Sequence, residues 1–435
     1  MKALTRSIGV GSLLVLCLLL AAQANGAARA LSTSAFTPQT RLGFASGDQW
    51  EPAIAADRYG HVYVLYMQFT TVPGCSTCAS PTVILQISND RGVTWGTPTV
   101  MYPAGATAGQ WDAQLVVDPI DGRTVYAAWL QNRKSDTVVA KSTDFGASWS
   151  VVVADHTNAG TDKPILAVRG NHVYVAYNHA QKIWVSASHD GGRTFASSQV
   201  NKNGTLGWSL AGGGTVDPAG NVYFSWAGYD RNGGATGAVN LFISKSADSG
   251  STWTNQVIDV SGAPPDCSAY ACGWAFLGAQ ATMASDAAGT LYALWNAGTI
   301  DKGPERVYFA RSTDAGATWS KKVDVSTAPA GASHAFPAIA GGAAGDVRIS
   351  WMDTRAGSLW NTYYRSSKDG GRTWSAEVDV STYVPNFSYI KPDGFGFPFG
   401  DYYEMDIDDQ GNTHMIWGEA LNYAGPGSIW YAKGK

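Results

Sequence analysis

Apolar residues along this chain fall in short runs broken by glycine, asparagine and aspartate, and the runs recur in one order. Six stretches share a pattern, "GHVYVLY", "RTVYAAW", "NHVYVAY", "GNVYFSW", "GTLYALW" and "GDVRISW", and a seventh, "GNTHMIW", begins at Gly411. Rich in Val, Tyr and Trp and bounded by turn residues, they read as strands. A shorter apolar run precedes them, as in "PAIAAD" from Pro52, "QLVVD" from Gln114, "ATMASD" from Ala281 and "YEMDID" from Tyr403. A third run follows ("TVILQIS", "LFISKS", "RVYFARS"), and then a fourth ("WGTPTVMY", "WSKKVDV", "WSAEVDV").

Between third and fourth runs the same eight residues return: "SNDRGVTW", "STDFGASW", "SHDGGRTF", "SADSGSTW", "STDAGATW" and "SKDGGRTW". Their aspartates are Asp90, Asp144, Asp190, Asp248, Asp314 and Asp369, at intervals of 54, 46, 58, 66 and 55 residues. A period of this size marks repeated supersecondary units. Four strands per unit predict an all-β fold, a single β-propeller of four-stranded blades. Seven blades are expected, with six as the alternative because the intervals are uneven. The seventh unit stops at its third strand, "SIWYAKGK", while "FTPQTRL" at residues 36–42 resembles the fourth-strand sequence "GTPTVMY" at 96–102. Pairing the N- and C-terminal strands would close the ring and remove its open edges.

Composition narrows the setting. The chain has 435 residues, a net charge of −4, 50 glycines and 17 tryptophans. No basic run suggests nucleic acid. Lys2 and Arg6 precede an apolar stretch from Ile8 to Ala22 and then small residues, the pattern of a signal peptide over residues 1–30 cleaved after Ala24, Ala27 or Ala30. Residues 31–435 would form the mature propeller domain, exported to the extracellular space or periplasm, with no membrane span and expected as a monomer. In an oxidising compartment Cys75, Cys78, Cys267 and Cys272 read as disulfides. Of three connectivities, the two local loops Cys75–Cys78 and Cys267–Cys272 are preferred. No histidine lies near either pair, and no metal or cofactor is expected.

The eight-residue repeat resembles the Asp-box, the bacterial neuraminidase repeat of the sialidase superfamily, over nearly the whole mature chain. The box reads as a turn device: its carboxylate accepts turn amides, its glycine takes positive φ and its Trp packs between blades. A catalytic role for it would demand six equivalent sites in one ring. The six aspartates are therefore structural.

The resemblance places a pocket on the opposite face, where first strands start and second strands end. Registering the first strands on their Asp-x-x-Gly turns brings together Glu51, Asp112, Lys163, Ala211, Gln280, Phe336 and Tyr402, preceded by Trp50, Trp111, Asp162 and Asp401. Second-strand ends add Gln68, Asn132, Arg133, His179, Asp230, Asn296, Asp353, Arg355 and Glu419. Acids mixed with flat aromatics suit a sugar. The substrate-binding set is accordingly Trp50, Glu51, Trp111, Asp112, Gln280 and Asp401.

Family sialidases grip a carboxylate with three arginines and use a tyrosine nucleophile, an activating glutamate and an acid/base aspartate. The resemblance assigns Tyr402, Glu419, Asp353 and Arg355 as catalytic, in one pocket. Trp50, in "QWEP", stands where the family places an arginine, and Gln280 fills one place for the activating glutamate. Both departures argue against authentic exo-sialidase activity. The expected function is a secreted, sialidase-like propeller acting on an extracellular glycan as a glycoside hydrolase or related enzyme; the alternative is a non-catalytic glycan- or protein-binding propeller. "DIDDQGN" from Asp406 lacks the terminal glutamate of a calcium loop. "NGT" at Asn203 and "NFS" at Asn386 are glycosylation acceptors only in a host that modifies secreted proteins.

Overall fold

The computed structural model describes residues 35–103, 108–158, 160–202, 207–231, 235–273, 275–400 and 402–435. The proposed signal peptide, Asn203 and Asp401 lie outside them. Seven four-stranded antiparallel blades stand around a central channel. Blade 1 runs Gln49–Ala56, Val62–Gln68, Thr82–Ser88 and Thr99–Val100 from channel to rim, and the later blades repeat that order. Blade 6 is built from His334–Gly341, Val347–Asp353, Asn361–Ser367 and Val378–Asp379.

Blade 7 takes Glu404–Ile407, Thr413–Ala420 and Ser428–Gly434 from the C-terminus and Thr40–Arg41 from the N-terminus. Thr40 pairs with Tyr431 and Arg41 with Trp430. The Thr37 amide donates to the Lys433 carbonyl at 2.8 Å, and Phe36 bridges to Gly434. The ring thus closes as the similarity of "FTPQTRL" to a fourth strand predicts.

Second strands are sandwiched between neighbouring blades, so "VYVLYMQ" and "THMIWGEA" are buried at every position. First strands converge on the axis and carry small residues. A Cβ on Gly212 would come within 2.1 Å of the Ala281 carbonyl oxygen, so blades 4 and 5 touch backbone to backbone there.

Each repeated turn is a closed hydrogen-bond set. In the first, buried Ser88 donates to Asp90 Oδ1 at 2.8 Å and accepts the Gly92 amide at 2.8 Å. Asp90 Oδ1 also accepts the Val93 and Thr94 amides, and Oδ2 accepts the Thr94 hydroxyl at 2.6 Å. The Thr94 hydroxyl and amide hold the Asp90 carboxyl down at about 2. Arg91 and Gly92 are both left-handed, at φ 57° and 75°, which explains the Gly-Gly pairs at 191–192 and 370–371. The closing aromatic packs on the preceding blade: Trp95 lies edge-on to Tyr431 at 4.9 Å and Trp374 to Phe309 at 5.0 Å.

Cys75 pairs with Cys78 and Cys267 with Cys272. Among the described residues no helix is long and apolar enough to cross a membrane.

Candidate functional site

The central channel encloses about 720 Å³ and follows the first strands along their length. One end meets Lys163, Ala211, Gln280, Phe336 and Tyr402, five of the seven positions that the turn register brings together. The reason is a shared backbone irregularity. First strands of blades 1, 2, 3, 4 and 6 shift register at this level, with Glu51, Asp112, Lys163 and Phe336 left-handed at φ 52–61°. Such a conformation costs a non-glycine residue about 1–3 kcal/mol and re-aims its side chain.

Glu51 and Asp112 belong to a charged knot beside this ring. Glu51 Oε2 accepts the Asp112 amide at 2.7 Å. Lys134 Nζ sits 3.3 Å from Asp112 and 2.7 Å from Asp162. Burial pushes the Asp112 carboxyl well up, against the pull of Lys134. The Lys163 ammonium lies 4.3 Å from the centre of the Tyr402 ring.

The tryptophans expected to stack on a sugar have other partners. Trp50 packs on Phe399, Tyr423 and Phe69, with ring centres 3.8, 5.0 and 5.4 Å away, and its indole N–H donates to Asp48. Trp111 is half-buried, its ring against Gly109. The disulfide-bearing connection between blades 4 and 5 extends this aromatic layer. Phe276 lies 5.3 Å from Phe336, Phe397 and Tyr423, and the Tyr423 amide donates to the Tyr270 carbonyl at 2.7 Å. Sequence patterning at the first and second strands alone does not reveal this strap over blades 5 to 7.

The quartet Tyr402, Glu419, Asp353 and Arg355 does not converge in one pocket. Tyr402 lines the channel, whereas Glu419 lines a separate cavity of about 240 Å³. Asp353 is fully buried and accepts the Trp351 indole at 2.9 Å; Arg355 clamps it at 2.6 Å and Glu377 at 2.9 Å. Strand geometry is the cause. Residues two apart share a face, so in blades 2, 6 and 7 the second-strand end meets the tryptophan two residues before it: Trp129 donates to Gln131, Trp351 to Asp353 and Trp417 to Glu419. These side chains turn into their own blade instead of toward the axis.

The smaller cavity lies between blades 6 and 7, under the segment 380–400 that carries the hairpin Ile390–Lys391 and Gly394–Phe395. Its wall holds Tyr363, Asp379, Ser381, Lys391, Asp393 and Glu419, among others, and Tyr383 stands at its edge 56% exposed. Burial pushes Glu419 up to about 8, with Asp379 adding to the push; the Trp417 indole at 2.8 Å and the Gln39 amide at 3.3 Å oppose it. Burial likewise raises Asp379 to about 7, while Ser381, which donates to Asp379 Oδ1 at 3.0 Å, and Arg355 hold it lower.

Asp379 and Glu377 are absent from the set read from sequence. Asp379 sits in "VDVS", a tetrapeptide that also contains Asp324, and Asp259 occupies the same place in "IDVS". A second repeated device was also readable in "DRYGHVY", "DPAGNVY" and "DAAGTLY". There Asp57, Asp217 and Asp286 cap the turn between first and second strands and accept the hydroxyls of Tyr63, Tyr223 and Tyr292 at 2.7–2.9 Å.

No protein-family model matches the chain, and no curated protein matches it. Solved structures do resemble it. A polysaccharide lyase, an ulvan lyase, aligns over 90% of this chain and 95% of its own at 12% identity and a TM-score of 0.52. A Hadza microbial sialidase aligns over 88% and 65% at 16% identity and a TM-score of 0.45. A leech intramolecular trans-sialidase aligns over 91% and 70% at 13% identity and a TM-score of 0.47. At 12% identity the likeness to the ulvan lyase speaks to the fold alone and leaves the chemistry to the site.

Proposed function

We propose that this chain is an exported carbohydrate-active enzyme that cleaves an extracellular glycan by acid–base chemistry in the cavity between blades 6 and 7. The observation that carries the reading is the pair Asp379 and Glu419, two carboxyl groups walling one cavity beside an exposed tyrosine. Two carboxyls in different environments divide the work of glycosidic cleavage. Glu419, the more strongly buried, gives its proton to the leaving oxygen as the bond to the anomeric carbon breaks. Asp379, ionised, takes a proton from the water that adds to that carbon. Tyr383 offers a ring face to the sugar. The candidate signal sequence and the two disulfides support export.

One observation favours the second reading, a non-catalytic glycan- or protein-binding propeller. Glu419 accepts an indole N–H as Gln131 does in blade 2, so its place has a structural use in every event. Incubating the mature protein with sialosides and with plant and microbial polysaccharides, then analysing the products, separates the two. Products that vanish in folded Asp379→Asn and Glu419→Gln variants support the enzyme. Products lost only in Tyr402→Phe move the chemistry to the channel, and binding without products establishes the module.

A further inference from the structure

Building on that reading, we infer that the cavity between blades 6 and 7 accepts a sugar unit without an acidic substituent, neutral or amino-bearing, and rejects uronates, sialic acids and sulfated sugars. Recognition of a carboxylate or sulfate needs a cation with free donors, usually an arginine fork. Arg355, whose charge acts on Asp379 in the cavity wall, has four of its five N–H donors taken. Arg355 Nε donates to Asp353 at 2.9 Å, Nη1 to Glu377 at 2.9 Å, and Nη2 to Asp353 at 2.6 Å and to Glu377 and Ser326 at 3.2 Å. Its guanidinium also lies over Tyr363, 3.7 Å from the ring centre, and Arg355 is not among the residues that line the cavity.

Two carboxylates on one guanidinium leave an excess negative charge behind the wall. The wall adds to it: with Glu419 holding the proton it gives in cleavage, Asp379 and Asp393 still outnumber Lys391, the only cation among the described residues that line the cavity. An anionic sugar entering here would meet like charges with reduced screening. Hydroxyls and amines fare differently. Asn361, Ser381 and Thr382 present uncharged polar groups, and the acids can accept from hydroxyl or ammonium donors.

Matched polymers test this with the intact mature protein: polygalacturonate against its methyl ester, and chitosan against a carboxymethylated counterpart. The uncharged or amino member of each pair should bind, or yield products, at least about tenfold better (about 1.4 kcal/mol). Asp393→Lys should narrow that ratio while the fold, checked by thermal melting, stays intact. Equal or better use of the acidic member, lost in Glu419→Gln, would overturn the inference and leave the cavity as the active site. No binding or turnover of either member, or turnover indifferent to Asp379→Asn and Glu419→Gln, would overturn the reading of the cavity and the inference with it.

Discussion

Arg355→Leu isolates the most highly charged buried contact in blade 6. The native guanidinium bridges Asp353, which is fully buried, and Glu377, whose side chain is 2% exposed. Leucine keeps apolar contact with Tyr363 but leaves both acids without their cation. Asp353 retains the Trp351 indole, and Glu377 retains the Thr327 amide at 3.0 Å and the Thr327 hydroxyl. Breaking a buried pair from the cationic side costs about 3–5 kcal/mol, because the remaining charge stays desolvated. Urea unfolding followed by tryptophan fluorescence at pH 7 should show a loss of that size. The loss should shrink with acidity. Against the opposing effect of burial, Arg355 holds the native Glu377 below its ordinary value, so its contribution is present above about pH 4.5 and fades as pH falls through the depressed value. In the variant that depression is gone, and protonation relieves the uncompensated charge. The gap between the two proteins should therefore be smaller at pH 4 than at pH 7. A loss below about 1 kcal/mol, or one of equal size at both pH values, would refute the claim that Arg355 is a committed structural cation.

Ser312→Ala removes a buried hydroxyl that donates to Asp314 at 2.7 Å and accepts the Gly316 amide at 2.9 Å, and should cost about 1–3 kcal/mol in denaturant unfolding without altering glycan binding. Phe36→Ala strips the closing strand of its packing on Tyr364, 4.9 Å between ring centres; a loss of about 3–5 kcal/mol is expected, and a neutral result would mean that the N-terminal strand does not hold the ring shut. Glu419→Gln should flatten the stability–pH curve. The folded protein binds the Glu419 proton more tightly, up to about 8 against an ordinary 4.5, so native stability falls as pH rises between those values, by up to about 1.4 kcal/mol per unit. Denaturation series at pH 5, 6.5 and 8 would show it, and parallel curves for the two proteins would count against it.

What the sequence determined by itself is the local and repeated part of the molecule. The side-chain bonds of Ser88 and Asp90 that shape the turn all fall within residues 88–94, so a strip of eight letters specifies it wherever it occurs. The seven units and the closing role of residues 36–42 follow from the same repetition. The first-strand register was legible too, because a two-residue period tied to fixed turns places equivalent positions at one level. The candidate site was not. Asp259, Asp324 and Asp379 occupy one place in near-identical sequence, yet Asp259 meets Lys322 and Trp295, Asp324 meets Arg306 at 2.8 Å, and Asp379 is raised by burial to about 7 in a cavity with Glu419. Their own neighbours in the chain do not distinguish them. The difference comes from residues 380–400 folding back over the gap between blades 6 and 7, and from Gln39 arriving with the N-terminal strand beside Glu419. Desolvation and charge pairing are set by what packs against a group in space, and those contacts join segments far apart in the sequence.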